Sequence, residues 1–371
     1  MSRRCKRGFT VLSSQDDNRI VLVGFPTYLT WRVCVALLRD SAVTITALVE
    51  VGEEERAADS MREVSRLVPT APPRFRVHVC DWSAPNLGRG PVWEALLAET
   101  TQLVDLTGVG SPCAPRRTSH LDALVNLAAA CPHLRRFDYL STALVSGDRI
   151  GIVAEAEFAQ GQGFKNSWEA WAFVEERRLR AARLDVPLTI YRPTFLIGDS
   201  RTGEIDRFDG PYAILRFFEQ MAAINLPPPM IGRGAAAAPI VPIDYVAAAI
   251  ASLLLLPEAA GKTIQLADPD APTIWTSYRR CAELLTGRTP RYSLRPGLAT
   301  RLLSSRSLRR WDISPEIVPY LNHRVTYETR TAYALLAPLG IFPPSFREYA
   351  PALVEFFANY CDDPRFGAGL A

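Results

Sequence analysis

Five short apolar runs, each set off by a stretch of helical periodicity, constrain this chain more than any other feature. "RIVLVGF" (19–25) ends at Gly24, and "YLTWRVCVALLRD" (28–40) then reads as a helix. "AVTITALVE" (42–50) is followed by the amphipathic "EEERAADSMREVSRLV" (53–68), and "RFRVHVCDW" (74–82) by "VWEALLAE" (92–99). "TQLVDLTGVG" (101–110) precedes "SHLDALVNLAAAC" (119–131), and "LRRFDYLSTALVSG" (134–147) is the fifth run. Strands alternating with helices predict an α/β fold: a Rossmann-like, doubly wound parallel sheet with helices on both faces and right-handed crossovers.

The second half changes character. "LTIYRPTFLIG" (188–198) is a further strand, and 199–240 is rich in Gly, Pro and aromatic residues. "PIVPIDYVAAAIASLLLL" (239–256) returns to strand, turn and helix. The organisation this predicts is a basic tail over 1–18, a Rossmann-like domain over 19–200 and a smaller C-terminal substrate lobe over 201–371. Within that lobe, 235–270 returns to the Rossmann core. A chain of 371 residues is long enough for both parts.

Composition excludes several classes. The net charge of +3, with 22% charged residues, leaves no nucleic-acid footprint. "RRCKR" (3–7) reads as a solvated tail, and no apolar h-region of a signal peptide follows it. The longest apolar run, 246–256, is too short to span a bilayer. The 7 cysteines are odd in number and contain no C-x-x-C, and the 4 histidines have no ligand-like spacing. A reduced, cytoplasmic protein without a metal is expected. Lysine occurs only at 6, 165 and 262, so few positions can supply a catalytic ammonium.

The order of segments resembles the extended short-chain dehydrogenase/reductases, in particular their thioester-reductase and fatty-acyl-reductase (male-sterility-like) branch. The likeness covers roughly 19–360. "YRPTFLIGDSRTGEIDRFDG" (191–210) carries it most specifically, with "YLSTALVSG" (139–147), "GQGFKNSW" (161–168) and "VPIDYVAAAI" (241–250). "CDWSAPNLG" (80–88) is similar to the stretch whose aspartate, here Asp81, lies near adenine.

The resemblance implies a catalytic Thr142 and a Tyr-x-x-x-Lys pair, yet Trp168 and Ala172 stand at the pair's positions. An indole N–H donates a hydrogen bond but does not give up a proton at useful pH. Lys165 is read as a solvated lysine at the start of the helix. The family's three-glycine series reads Gly24, Thr27, Thr30, and Pro26 removes a further N–H from the phosphate loop. Glu50 ends the second strand, where a carboxylate repels an NADP 2′-phosphate but suits an NAD ribose hydroxyl. Gly24, Thr27, Thr30, Glu50 and Asp81 thus read as the remnant of a cofactor site.

The expectation is a redox-inactive, cofactor-independent enzyme, with NAD(H) the one dinucleotide the remnant would suit. It would cyclise or rearrange an acyl thioester or a polyketide- or peptide-derived intermediate, free or carrier-protein bound, in bacterial specialised metabolism. The resemblance supplies the precedent, since some reductase-like release domains lack the tyrosine and perform Dieckmann-type cyclisation. Thr142 and Trp168 are the expected oxyanion donors, and Asp148, Glu155, Glu157 or Asp209 the expected base. An NAD(P)H-dependent acyl-thioester or aldehyde reductase is the alternative, and a non-catalytic binding or scaffold protein the third reading.

Overall fold

The strands of the amino-terminal half are apolar on both sides because both faces are covered by helices. In β1 (Arg19–Val23), Ile20 and Leu22 face one core while Val21 and Val23 face another. The computed structural model describes residues 18–84, 87, 91–108, 120–305, 308, 311 and 313–367, so residues 1–17 of the basic tail lie outside it. After β1 come α1 (Tyr28–Asp40), β2 (Thr44–Glu50), α2 (Glu54–Leu67), β3 (Phe75–Cys80), α3 (Pro91–Glu99), β4 (Gln102–Asp105), α4 (Leu121–Ala130) and β5 (Arg136–Leu140). There follow β6 (Gly151–Val153), α5 (Ser167–Ala181), β7 (Leu188–Pro193), β8 (Phe195–Ile197), α6 (Tyr212–Ala223), β9 (Met230–Ile231) and β10 (Ile240–Pro242). The chain ends through α7 (Ile243–Leu255), β11 (Thr263–Leu266), α8 (Ile274–Thr286), β12 (Ser293–Leu294), α9 (Pro296–Leu303), β13 (Val325–Tyr327), α10 (Arg330–Leu336) and α11 (Phe346–Tyr360).

Seven strands form one parallel sheet in the order β11-β7-β5-β4-β1-β2-β3. This is the doubly wound α/β arrangement that the alternating pattern predicts. The order reverses at β1, between β4 and β2, which is where such sheets open a crevice at the carboxyl ends of their strands. α1, α2 and α7 cover one face, α4 and part of α5 the other.

Two expected strands break, each for a local reason. The run 134–147 stops at Leu140, because the Thr142 hydroxyl accepts from the Leu144 N–H and turns the chain into a 3-10 helix at Ala143–Ser146. The run 188–198 breaks at Thr194. Pro193 has no N–H to continue the ladder, and β8 leaves the main sheet to pair with β10.

The second core is built by α6, α8 and α11 with the 3-10 helix Pro315–Asn322. It also draws in Ala143, Leu144, Val153, Phe195 and Ile197, so the lobe is knitted to chain well before residue 201. β11 adds to β7 and α7 packs on α1, which brings this part of the second half back to the main sheet.

Two buried ion pairs set the elements' positions. Arg136 and Asp138 are joined at 2.5 Å. Arg136 and Gln102 also donate to the carbonyls of Leu253, Leu254 and Leu256, closing the last turn of α7. Glu176 on α5 meets Arg192 on β7 at 2.5 Å and also takes bonds from Arg180 and Ser141 Oγ. Burial alone would push the Glu176 carboxyl up, but the two guanidiniums and the hydroxyl hold it below the usual carboxylate range. This anchor fixes α5, and with it Trp168 and Ala172, against the sheet. Among the described residues no helix is long and apolar enough to cross a membrane.

Candidate active site

The crevice at the end of β1 begins with Gly24 at φ +108°, where a Cβ would lie 3.0 Å from the Leu106 carbonyl carbon, so the turn demands glycine. Thr27 follows, and its N–H donates back to Gly24 O at 2.9 Å, which closes the turn on itself. The Thr27 hydroxyl meets that of Thr30 at 2.8 Å, and Thr30 is fully buried between helix and strand. Arg32 on α1 pairs with Asp199 at 2.7 Å and fastens the 199–210 loop to the helix. Asp206 of that loop lies beside the start of α1, and burial pushes its carboxyl above the ordinary range.

Glu50, Glu53, Trp82, Thr107 and His120 wall the rest of the crevice. The Trp82 and His120 rings lie 5.1 Å apart, and Asp105 holds both His120 (3.1 Å) and Thr107 (2.6 Å). The space left is about 10 Å³, roughly one water molecule. Asp81 caps its own turn by accepting from Ser83 N–H and Oγ. The fold family implies a dinucleotide here; Gly24 and Glu50 are residues that such a site uses, while Thr27 and Thr30 stand where its other glycines would be. The N–H of Thr27 is spent on the turn, and Glu50 and Glu53 stand on the wall of the crevice.

At the expected catalytic positions, Trp168 stacks on Phe195 with ring centroids 6.5 Å apart, and its Nε1 is buried with no hydrogen-bond partner among the described residues. Ala172 is buried. Thr142 is buried too, but its hydroxyl donates to Pro193 O (3.2 Å) while accepting from Leu144 N–H. Thr142 and Trp168 thus each touch the short Pro193–Phe195 segment, one at Pro193 and the other at Phe195. The hydroxyl of Thr194, between them, is buried and without a partner among the described residues.

The expected bases are engaged elsewhere. Asp148 is exposed and clamps the Gly163 N–H, and Asp209 pairs with Arg207 at 2.7 Å. Glu155 accepts from the Thr331 and Ala332 N–H groups at the start of α10. Glu157 pairs with Arg149, which together with the Ala154 N–H holds its carboxyl low.

Lys165 departs from its sequence reading. It is not a solvated lysine: its ammonium binds Gly147 O, lies 3.4 Å from Glu169 Oε1 and sits 5.3 Å from the centroid of the Tyr320 ring. Tyr320 donates to Glu169 Oε1 at 2.7 Å and accepts from Asn166 Nδ2 at 3.1 Å. Beside them His323 Nε2 lies 3.0 Å from the Tyr327 hydroxyl, which is itself 3.0 Å from Ser146 Oγ. Burial, then the nearby Lys165 charge, pushes His323 down to about 3, and burial with the Glu169 charge pushes the Tyr320 hydroxyl well up. Sequence reasoning missed Glu169, Tyr320 and His323. The one local signal is Asn166-x-x-Glu169, which has the form of a capping box.

The Tyr320 ring is also a wall of a cavity of about 90 Å³ inside the lobe. Phe195, Tyr212, Ile274, Cys281 and Phe346 form other parts of that wall.

Comparison with known proteins follows this geometry. Residues 28–250 match the family described as "Male sterility protein". No curated protein sequence matches the chain. Among solved structures, the terminal R domain from the myxalamid PKS-NRPS biosynthetic pathway is 19% identical. It superimposes with a TM-score of 0.70, over 95% of this chain and 94% of that one. The reductase domain of the aureusimine biosynthetic cluster is 14% identical, with a TM-score of 0.68 over 93% and 91%. UDP-glucuronic acid 4-epimerase from Bacillus cereus, solved with NAD, is 15% identical, with a TM-score of 0.59 over 92% and 99%. At these identities the likeness is one of fold.

Proposed function

Because this chain belongs to the male sterility protein family, we propose that it is an enzyme of acyl-thioester chemistry that works without hydride transfer. One observation carries the reading. The crevice at the end of β1, walled by Glu50, Glu53, Trp82 and His120, holds a pocket of about 10 Å³, while the lobe keeps an open cavity of about 90 Å³.

The chemistry needs no electrons from outside. A carbon of the substrate loses a proton and attacks the thioester carbonyl, and the thiolate leaves and takes up a proton. Such a step needs a preorganised donor for the oxyanion of the tetrahedral intermediate. Trp168 Nε1 and the Thr194 hydroxyl are buried donors left without partners beside the Phe195 ring. Thr142 joins them only after releasing Pro193 O. A thioester held on a carrier protein fits this reading, as does a free one.

Deleting the encoding gene and comparing metabolites tests it. The strain should accumulate an uncyclised or unrearranged precursor whose acyl part has the same oxidation level as the product. A precursor two hydrogens away overturns the reading. That outcome would favour the second one, an NAD(H)-dependent reductase, which is supported by the retained Gly24 turn and by Glu50 at the end of β2.

A further inference from the structure

The cavity in the lobe has a chemistry of its own. Four hydroxyls stand on its wall, and each already has a partner inside the protein. Tyr212 accepts from the Gly198 N–H at 2.8 Å, Tyr278 donates to Pro229 O at 2.6 Å, Ser277 donates to Thr273 O at 3.2 Å, and Tyr320 donates to Glu169. The remaining polar atom is the Cys281 thiol, which burial pushes up to about 12, so it carries no charge. Among the described residues no Asp, Glu, Lys, Arg or His lines the space. A charged ligand entering here would lose its water and meet no opposite charge among them, and of the four hydroxyls only that of Tyr212 keeps a proton without an acceptor among the described residues. The size narrows the choice further. The volume far exceeds the ~10–15 Å³ that one water needs and falls short of the roughly 150 Å³ of an engineered apolar cavity that holds benzene.

We propose that this cavity is the binding pocket for an uncharged alkyl end of the substrate's acyl group, about three to four carbons long. Phe195 is part of its wall, and the same ring stacks on Trp168, so the proposal puts the carbonyl of an acyl chain seated in the cavity on the Trp168 side. The assignment rests on the reading of the chain as an enzyme of acyl thioesters and adds the class of acyl group to it.

The test is calorimetry of the full chain with S-acyl-N-acetylcysteamine thioesters from acetyl to decanoyl, with the succinyl thioester as the charged control. Affinity should rise about fourfold per methylene, the worth of about 0.8 kcal/mol of apolar burial. It should stop rising near four carbons, and the succinyl thioester should not gain from its length. Ala238 is a buried residue on the wall, so Ala238→Leu should abolish the dependence on length. Ser277→Leu, on another part of the wall, repeats the test if the first variant has a lowered thermal midpoint. Affinity that ignores chain length, equal binding of the succinyl thioester, unchanged binding by a folded Ala238→Leu chain, or no binding by any member overturns the assignment. NADPH titration of the same sample separates the two claims. Binding of NADPH removes the cofactor-free reading and leaves the chain-length result standing.

Discussion

At the scale of single residues, the two groups expected of an oxyanion site differ in what they have left to donate. Trp168 keeps a buried N–H without a partner among the described residues, while the Thr142 proton is already on Pro193 O. Trp168→Phe keeps the ring on Phe195 and removes the N–H. It should lower turnover by about 10²–10³ and leave the thermal midpoint nearly unchanged. Thr142→Val should instead cost about 1 kcal/mol of stability, because it removes the hydroxyl that turns the chain at Ala143. Equal turnover in Trp168→Phe and wild type would take the donor role from Trp168.

His323 makes a pH prediction. Its pKa is about 3 in the folded chain against an ordinary 6.5, a lowered value caused first by burial and then by Lys165. Below pH 6.5 the unfolded chain takes up a proton that the folded chain refuses. Stability should therefore fall as the pH drops from 6.5 towards 3, by about 1.4 kcal/mol per unit. The depressed carboxylates of Glu176 and Asp199 act only below their ordinary values near 4, while the raised carboxyls of Asp138, Asp206 and Asp268 act above theirs with the opposite sign, so the difference between wild type and a His323 variant over pH 6 to 4.5 isolates the histidine. His323→Gln should flatten urea-derived stability over that window, and an unchanged slope would contradict the assignment.

At the scale of elements, α5 is where sequence and structure both agree and part. The helix itself was legible through the resemblance of "GQGFKNSW" to the start of the family's catalytic helix, and the structure adds that Asn166 caps it. Its orientation was not, because that depends on Glu176 finding Arg192 on β7 beneath it. Arg192→Met leaves Glu176 buried with Arg180 and Ser141 only. It should cost about 3 kcal/mol or more in a urea titration. A cost under 1 kcal/mol would mean that α5 is held by its apolar contacts alone. The strands were legible wherever both faces are covered. They were overread at 141–147 and 194, where one hydroxyl and one proline redirect the backbone. The buried group around Lys165 had no readable signal, since 151 residues separate Glu169 from Tyr320 and only the folded lobe brings them together.

At the scale of the whole molecule, the parallel sheet and the lobe are built as in the reductase and epimerase structures they superimpose on. The crevice at the switch point of the sheet lacks the second and third glycines of the dinucleotide-binding series and carries Glu50, and the sequence already shows both. It does not show that Trp82 and His120 wall the crevice together, because they come from segments remote in the chain. The central claim is that this crevice no longer takes a nicotinamide dinucleotide, and calorimetric titration of the full chain with NADPH and then NADH tests it most directly. The account predicts no measurable heat of binding for either at micromolar concentrations. Low-micromolar binding of NADPH, about −8 kcal/mol, would contradict it, and tight binding of NADH alone would assign Glu50 to the ribose and restore the reductase reading.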